Sequence, residues 1–106
     1  MLYFIELSSL DSLPTDSTTY YIEDEVNKVK QLMSFHKWRS YIQSEANAEL
    51  MSKVLGVNIE VYTEPLNIDS ILKEPATLVL FGARKKENII LINFFIVKSK
   101  NKVVML

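Results

Sequence analysis

The chain has 106 residues, 48% of them hydrophobic and 24% charged, with a formal net charge of −1. This length and composition predict one soluble globular domain over residues 1–106. The sequence contains no cysteine, one histidine and two glycines. These counts exclude disulfides, thiolate or histidine-rich metal sites and glycine-rich phosphate loops.

The first strand is predicted over residues 1–7, MLYFIEL, which are dense in apolar and aromatic residues. Residues 8–17 are typical of a loop, and residues 18–23, TTYYIE, predict a short strand paired with the first. Apolar residues then recur at helical spacing from Val26 to His36, and this pattern breaks over residues 37–41.

A second helix is predicted within YIQSEANAELMSKVLGVNI, residues 41–59. Ser44 is a suitable N-cap, residues 46–55 can fill the helix, and Gly56 is suited to its C-terminal end. Because a helix N-terminus is a ready anion site, Gln43 and Ser44 at its start are candidates for a functional position.

The last half of the chain has the composition of strands. We predict strands at 66–72, 76–84 and 88–97, a hairpin through KKE, and a terminal strand in VVML. The element order predicts an α+β domain with one mostly antiparallel sheet of about five strands and two helices packed on one face. These strands carry more apolar surface than two short helices cover, which favours a homodimer.

The two ends of the chain carry opposite charge. Residues 1–25 hold six acids and no base, and residues 84–102 hold six bases and one acid. Either the two ends lie side by side and neutralise each other, or they offer an acidic and a basic face to partners. The bases are Arg84, Lys85, Lys86, Lys98, Lys100 and Lys102.

Several other residues admit a functional and a structural interpretation. His36 could be a general acid or base, but its spacing favours the edge of the core or the surface. Trp38 between two bases could stack on a nucleobase, although a tryptophan sealing the core edge is the usual role. Residues 82–86, GARKK, could grip phosphate or form a hairpin tip. The acids at 23–25 could bind magnesium, but helix N-termini attract acids in any case.

Glu45 and Glu49 lie four residues apart on one predicted helix face. Like charges at this spacing are unfavourable by a few tenths of a kcal/mol, roughly. Their placement indicates that something outside the helix prefers negative charge. No catalytic constellation is recognisable, which favours a binding protein without cofactor or metal.

The start MLYFIELSSL and the block YIQSEANAELMSKVLGVN resemble a family of small proteins from archaeal viruses. The likeness is clearest over residues 1–3 and 42–59, moderate over 79–84 and poor from residue 87 to the end. Some members of this family are ring nucleases that cleave cyclic tetra-adenylate, the messenger of type III CRISPR systems. Others share the fold without this activity, and the sequence looks most like the type I-D anti-CRISPR proteins of rod-shaped viruses.

The resemblance implies a homodimeric viral protein of the host cytoplasm. In the nucleases an Ile-Gly-His motif precedes the helix, and its histidine is the general acid. Here those positions hold Ile42, Gln43 and Ser44, the family's helix threonine falls on Asn47, and Arg84 matches a basic position at a strand end. A serine hydroxyl cannot supply a proton as an imidazolium can. The expected basic residue after Leu-Gly falls in EVYTEP, which has none.

The sequence and the resemblance together predict a non-enzymatic inhibitor that binds the large subunit of a type I-D CRISPR effector. The alternatives are a degenerate ring nuclease that uses Ser44 and Arg84, and a small viral nucleic-acid-binding protein that uses the C-terminal bases. The predicted interface is acidic and consists of Asp11, Asp16, Glu23, Asp24, Glu25, Glu45 and Glu49.

Overall fold

A computed structural model describes residues 1–13, 16–71 and 75–99. Its elements are β1 (Leu2–Glu6), β2 (Thr18–Tyr20), α1 (Glu23–Phe35), β3 (Trp38–Ser40), α2 (Glu45–Leu55), α3 (Ile68–Ile71), β4 (Ala76–Lys86) and β5 (Ile89–Ser99). The predicted α+β class is confirmed, as is a sheet of five strands. Within the described residues no helix is long and apolar enough to cross a membrane.

The strand order in the sheet is β2-β5-β4-β1-β3, and the pairing is mixed. Among the strands of the described residues only β4 and β5 pair antiparallel, as a hairpin, while β1 pairs parallel with both β4 and β3. The prediction of a mostly antiparallel sheet was therefore wrong. The predicted pairing of residues 18–23 with the first strand was also wrong, because β2 is an edge strand that pairs parallel with β5 and is separated from β1 by β5 and β4.

Two further segments differ from the sequence prediction. Residues 37–41, where the helical pattern breaks, contain the edge strand β3, which β1 holds through bonds such as Tyr41 N–H to Phe4 O at 2.9 Å. The strand predicted at 66–72 is instead the short helix α3, and the Asn67 side-chain oxygen accepts a hydrogen bond from Ser70 N at 3.4 Å. The terminal strand predicted in VVML lies outside the described residues, as does position 72.

The main hydrophobic core lies between the sheet and the first two helices, as predicted. Alternate strand residues point into it, including Phe4, Phe81 and Ile92, while α1 and α2 contribute Val29 and Met51. All but one of these five side chains are fully buried, and Ile92 is 2% exposed. Complete burial of one such side chain stabilises the fold by about 1.5–3 kcal/mol.

The second face of the sheet is covered over part of its width. Ile71 of α3 packs there against Ile5 and Leu78. Beyond this small core, five large apolar side chains of β2 and β5 lie on the same face and are 40–54% exposed. We call this area the open face; it comprises Tyr20, Ile89, Leu91, Phe95 and Val97.

Candidate functional site at the start of α2

Helix α2 starts and ends where the sequence predicts. Ser44 is its N-cap in extended conformation, and the Ser44 hydroxyl oxygen accepts a hydrogen bond from Asn47 N at 3.2 Å. Gly56 ends the helix in the left-handed conformation with a φ of 70°. A residue with a Cβ atom is disfavoured in that conformation, which explains the glycine.

The carboxylate of Glu6 lies at the start of this helix. Gln43 N donates a hydrogen bond to Glu6 Oε1 at 2.9 Å, and Asn47 Nδ2 donates to Glu6 Oε2 at 2.7 Å. Glu6 is the last residue of β1 and follows Leu2 and Phe4 in the strand alternation, so it faces α2. A negative charge is favourable at a helix N-terminus, and here the protein supplies its own.

The polar groups next to this carboxylate are also used inside the fold. The Ser44 hydroxyl donates to Leu10 O at 2.9 Å, which ties the loop after β1 to the helix. The Gln43 side-chain amide donates to Glu64 O at 2.9 Å. Neither side chain is therefore available to protonate a leaving group or to hold a ligand without giving up a contact that orders the chain.

Asn47 connects β1 to α2 from a fully buried position. Besides Glu6, its Nδ2 donates to Ser8 O at 2.6 Å. Its Oδ1 is buried and has no hydrogen-bond partner in the described part of the chain. Asn47 therefore serves as a structural donor that connects α2 to β1 and to the loop after it.

Arg84 does not join this group. It lies near the end of β4, where it lines a cavity of about 260 Å³ with Ser8, Asn93 and Phe95. Among the described residues it forms no ion pair. The four residues predicted as a degenerate site therefore lie in two places: Gln43, Ser44 and Asn47 around Glu6, and Arg84 apart from them.

The predicted acidic interface residues have different environments. Asp11, Asp16, Glu23, Asp24 and Glu45 are exposed. Glu25 is half-buried and accepts a hydrogen bond from Phe94 N at 3.0 Å, so its carboxylate is part of the fold.

Glu49 forms an ion pair within its own helix, which the sequence pattern did not indicate. Its carboxylate pairs with Lys53 one helical turn on, at 3.5 Å, and both side chains are largely exposed. The like-charge repulsion expected between Glu45 and Glu49 is therefore partly offset within α2 itself. The inference that these two residues need an external positive charge loses its main support.

The basic residues near the C-terminus do not form one cluster in the described residues. Lys86 pairs with Ile89 at the hairpin tip, whereas Lys98 pairs with Thr77 at the other end of the same two strands. Nine residues of extended chain span about 30 Å. Lys100 and Lys102 lie outside the described residues.

The remaining candidates occupy structural positions. His36 is the exposed C-cap of α1. Trp38 is half-buried and packs edge-on against Phe4 at 5.6 Å between ring centroids, so it seals the core edge as predicted, but from a strand. The neighbouring side chain of Tyr41 raises the Arg39 pKa above its ordinary value.

Sequence reasoning missed Glu6, Ser8 and Leu10, which hold the start of α2. One signal was present, because Glu6 is an acid in phase with the buried residues of β1. An acid at that position needs a polar partner on the core side of the sheet. The two carbonyl contacts had no sequence signal, since any residue can supply a backbone oxygen.

No group of three or more potential metal ligands occurs within residues 1–13, 16–71 and 75–99, which include the acids at 23–25. Comparison with protein-family models, with curated proteins and with solved structures found no match to this chain.

Proposed function

We propose that this protein is a viral anti-CRISPR inhibitor that binds the large subunit of a type I-D effector complex and blocks interference without catalysis. One observation carries the non-enzymatic part of this proposal. The Glu6 carboxylate lies at the start of α2 and accepts the hydrogen bonds of Gln43 N and Asn47 Nδ2. In the ring nucleases that the sequence resembles, this is the place of the ligand and the catalytic histidine. The choice of a type I-D effector comes from the sequence resemblance.

The local charge is unsuited to a cyclic tetranucleotide. Such a ligand carries four phosphates, and a site that binds it needs bases or free donors. The start of α2 presents Glu6 instead, Ser44 and Gln43 are already bonded, and Arg84 lies in a separate cavity. The degenerate ring nuclease is therefore the weaker alternative.

Binding to the effector is expected to use exposed acids. A protein that handles nucleic acid has basic surfaces, and acids on an inhibitor can occupy them. Asp11, Asp16, Glu23 and Asp24 are exposed and form no ion pair among the described residues. Glu25 and Glu49 have partners inside the chain and are expected to contribute less.

We also propose a homodimer that pairs through the open face. Exposed apolar side chains in this number on one sheet face are uncommon on monomeric proteins, although Asn93 and Arg84 lie among them on the same face. Face-to-face packing of two such sheets would bury Leu91, Phe95 and Val97, which are 44%, 51% and 43% exposed in the single chain. In a twofold dimer the same patch serves both subunits.

The binding proposal is tested with purified effector large subunit and charge-reversal variants. We expect tight binding by the natural protein and a loss of at least about tenfold in affinity for the triple variant Asp11→Lys, Glu23→Lys, Asp24→Lys. The matched control reverses three acids elsewhere, Glu60, Glu64 and Glu87, and should retain binding. Binding that is absent in the natural protein contradicts the proposed function. Equal loss in both triple variants contradicts only the placement of the interface.

The absence of catalysis is tested by incubating the protein with cyclic tetra-adenylate and separating the products by chromatography. We expect intact substrate. Cleavage that disappears in Ser44→Ala would establish the ring-nuclease alternative instead.

The dimer is tested by analytical ultracentrifugation. Phe95→Lys places a charge on the open face, and we expect it to convert a dimer to a monomer with unchanged far-ultraviolet circular dichroism. Phe35→Lys is the control, because Phe35 is 75% exposed at the end of α1 and outside this face. A natural protein that sediments as a monomer contradicts the proposal.

The nucleic-acid-binding alternative receives little support from the charge layout, because Lys98 and the bases at 84–86 are at opposite ends of the hairpin. Binding to DNA or RNA that weakens steeply with salt would favour it.

A further inference from the structure

The link between β2 and α1 exposes two large apolar side chains in succession. Tyr21 is 46% exposed and Ile22 is 57% exposed. Neither belongs to either hydrophobic core, and the buried residues of α1 begin at Val26. The fold therefore gains little from an aromatic and a branched aliphatic side chain at these two positions.

Ile22 is also an unfavourable residue for its position in the backbone. It is the N-cap of α1, with φ of −86° and ψ of 116°, and makes no side-chain capping bond. Serine, threonine, asparagine and aspartate are preferred at an N-cap because their side chains accept a bond from the first turn. Residues that break a local rule without helping the core occur preferentially at functional sites.

The charges beside these two side chains define the chemistry of a partner. Glu23 and Asp24 follow directly, are exposed, and form no ion pair among the described residues. Arg84 also borders Tyr21 and Ile22, in a cavity of about 210 Å³ that the open-face residues Tyr20 and Leu91 line as well and to which neither acid contributes. A cationic group is attracted by the two acids and repelled by Arg84, so we expect it to bind next to Glu23 and Asp24 and outside this cavity.

We propose that Tyr21, Ile22, Glu23 and Asp24, which we call the β2–α1 surface, form the anchor for an arginine-bearing segment of a protein partner. The aliphatic part of an arginine packs on Tyr21 and Ile22, and its guanidinium reaches the carboxylates of Glu23 and Asp24. Arginine suits this surface better than lysine, because its planar group stacks on an aromatic ring while binding a carboxylate. This inference rests on the proposed function and names the surface through which the inhibitor binds.

The test uses an arginine-rich peptide and a lysine-rich peptide of equal length and charge, each titrated into isotopically labelled protein and followed by nuclear magnetic resonance. We expect shifts centred on residues 21–24 and affinity for the arginine peptide about tenfold above that for the lysine peptide. Tyr21→Ser and Ile22→Ser should each remove this preference. The control Phe35→Ser, at the other end of α1, should keep it.

Ile22→Ser also shows whether a loss of peptide binding is due to unfolding. Because serine is the better N-cap, this variant should melt at a higher temperature than the natural protein, so any loss of binding would come from the missing contact. Shifts centred elsewhere, or equal affinity for the two peptides, would overturn the inference. A dimer that dissociates on Ile22→Ser would overturn it as well, because the surface would then belong to a second copy. These outcomes are independent of effector binding, so failure of the proposed function is recognised separately.

Discussion

The two long helices of this protein begin in opposite ways. Helix α2 begins at Ser44, whose hydroxyl caps Asn47 N and bonds Leu10 O, with Glu6 at its N-terminus. Helix α1 begins at Ile22, which makes no capping bond and is largely exposed. Acids occupy the first turn of both helices, so the contrast lies in the residues that surround them.

The start of α2 therefore stabilises the fold, whereas the start of α1 remains accessible on the surface. The polar groups around α2 connect β1, the following loop and residue 64 to one helix end. The α1 start keeps Tyr21, Ile22, Glu23 and Asp24 on the surface, and only its third acid, Glu25, is bonded inside the fold. A resemblance in sequence draws attention to α2, but its geometry assigns it a structural role and leaves α1 as the better candidate for contact with a partner.

The largest effect is expected for Asn47→Ala at the α2 start. The substitution removes the donors for Glu6 and Ser8 O and leaves a partly buried carboxylate without one of its partners. We expect a loss of about 3 kcal/mol in the free energy of unfolding, measured by urea denaturation. A loss below about 1 kcal/mol would mean that the buried network contributes little, and a gain in stability would mean that the unpaired Oδ1 makes Asn47 net destabilising.

A smaller effect is expected for Ser44→Ala. This change removes the cap of α2 and the bond to Leu10 O but buries no charge. The expected loss is about 1 kcal/mol by the same measurement. Ser70→Ala in α3 is the matched control, because Ser70 is exposed and its bond to Asn67 uses the backbone N–H. Equal losses in the free energy of unfolding in the two variants would show that the Ser44 side chain stabilises α2 no more than Ser70 stabilises α3.

The smallest effect, and one of opposite sign, is expected for Ile22→Ser at the α1 start. A serine can accept the bond that Ile22 cannot, so the free energy of unfolding should rise by about 0.5–1 kcal/mol. Thermal unfolding followed by circular dichroism measures this gain. A destabilised variant would show that Ile22 contributes to the packing of the chain despite its exposure, and the contrast between the two helix starts would disappear.

Local signals were the predictable part of the structure. Helix α2 begins after Ser44 and ends at Gly56 as predicted, because caps act through contacts a few residues away. The β4–β5 hairpin was predictable for the same reason, since its strands are adjacent in the chain. Asn67 before α3 was a cap signal as well, but the apolar residues around it favoured a strand.

Long-range pairing was the unpredictable part. β2 and β3 have three residues each, too few for a readable alternation, and their positions depend on β5 and β1. The candidate site shows the same division. The cap role of Ser44 could be predicted, whereas the Glu6 carboxylate reaches the helix only because β1 lies inside the sheet.

The position of β1 has a consequence for how the chain folds. β1 is the first element of the sequence, yet it lies between β3 and β4 and pairs along its length with β4, from Leu2 with Thr77 to Glu6 with Phe81. Closing a loop that contains most of the chain is entropically costly, and such pairings form late and slow the reaction. We expect the β4–β5 hairpin and the two long helices to form first. The centre of the sheet can then close only after β4 has been synthesised.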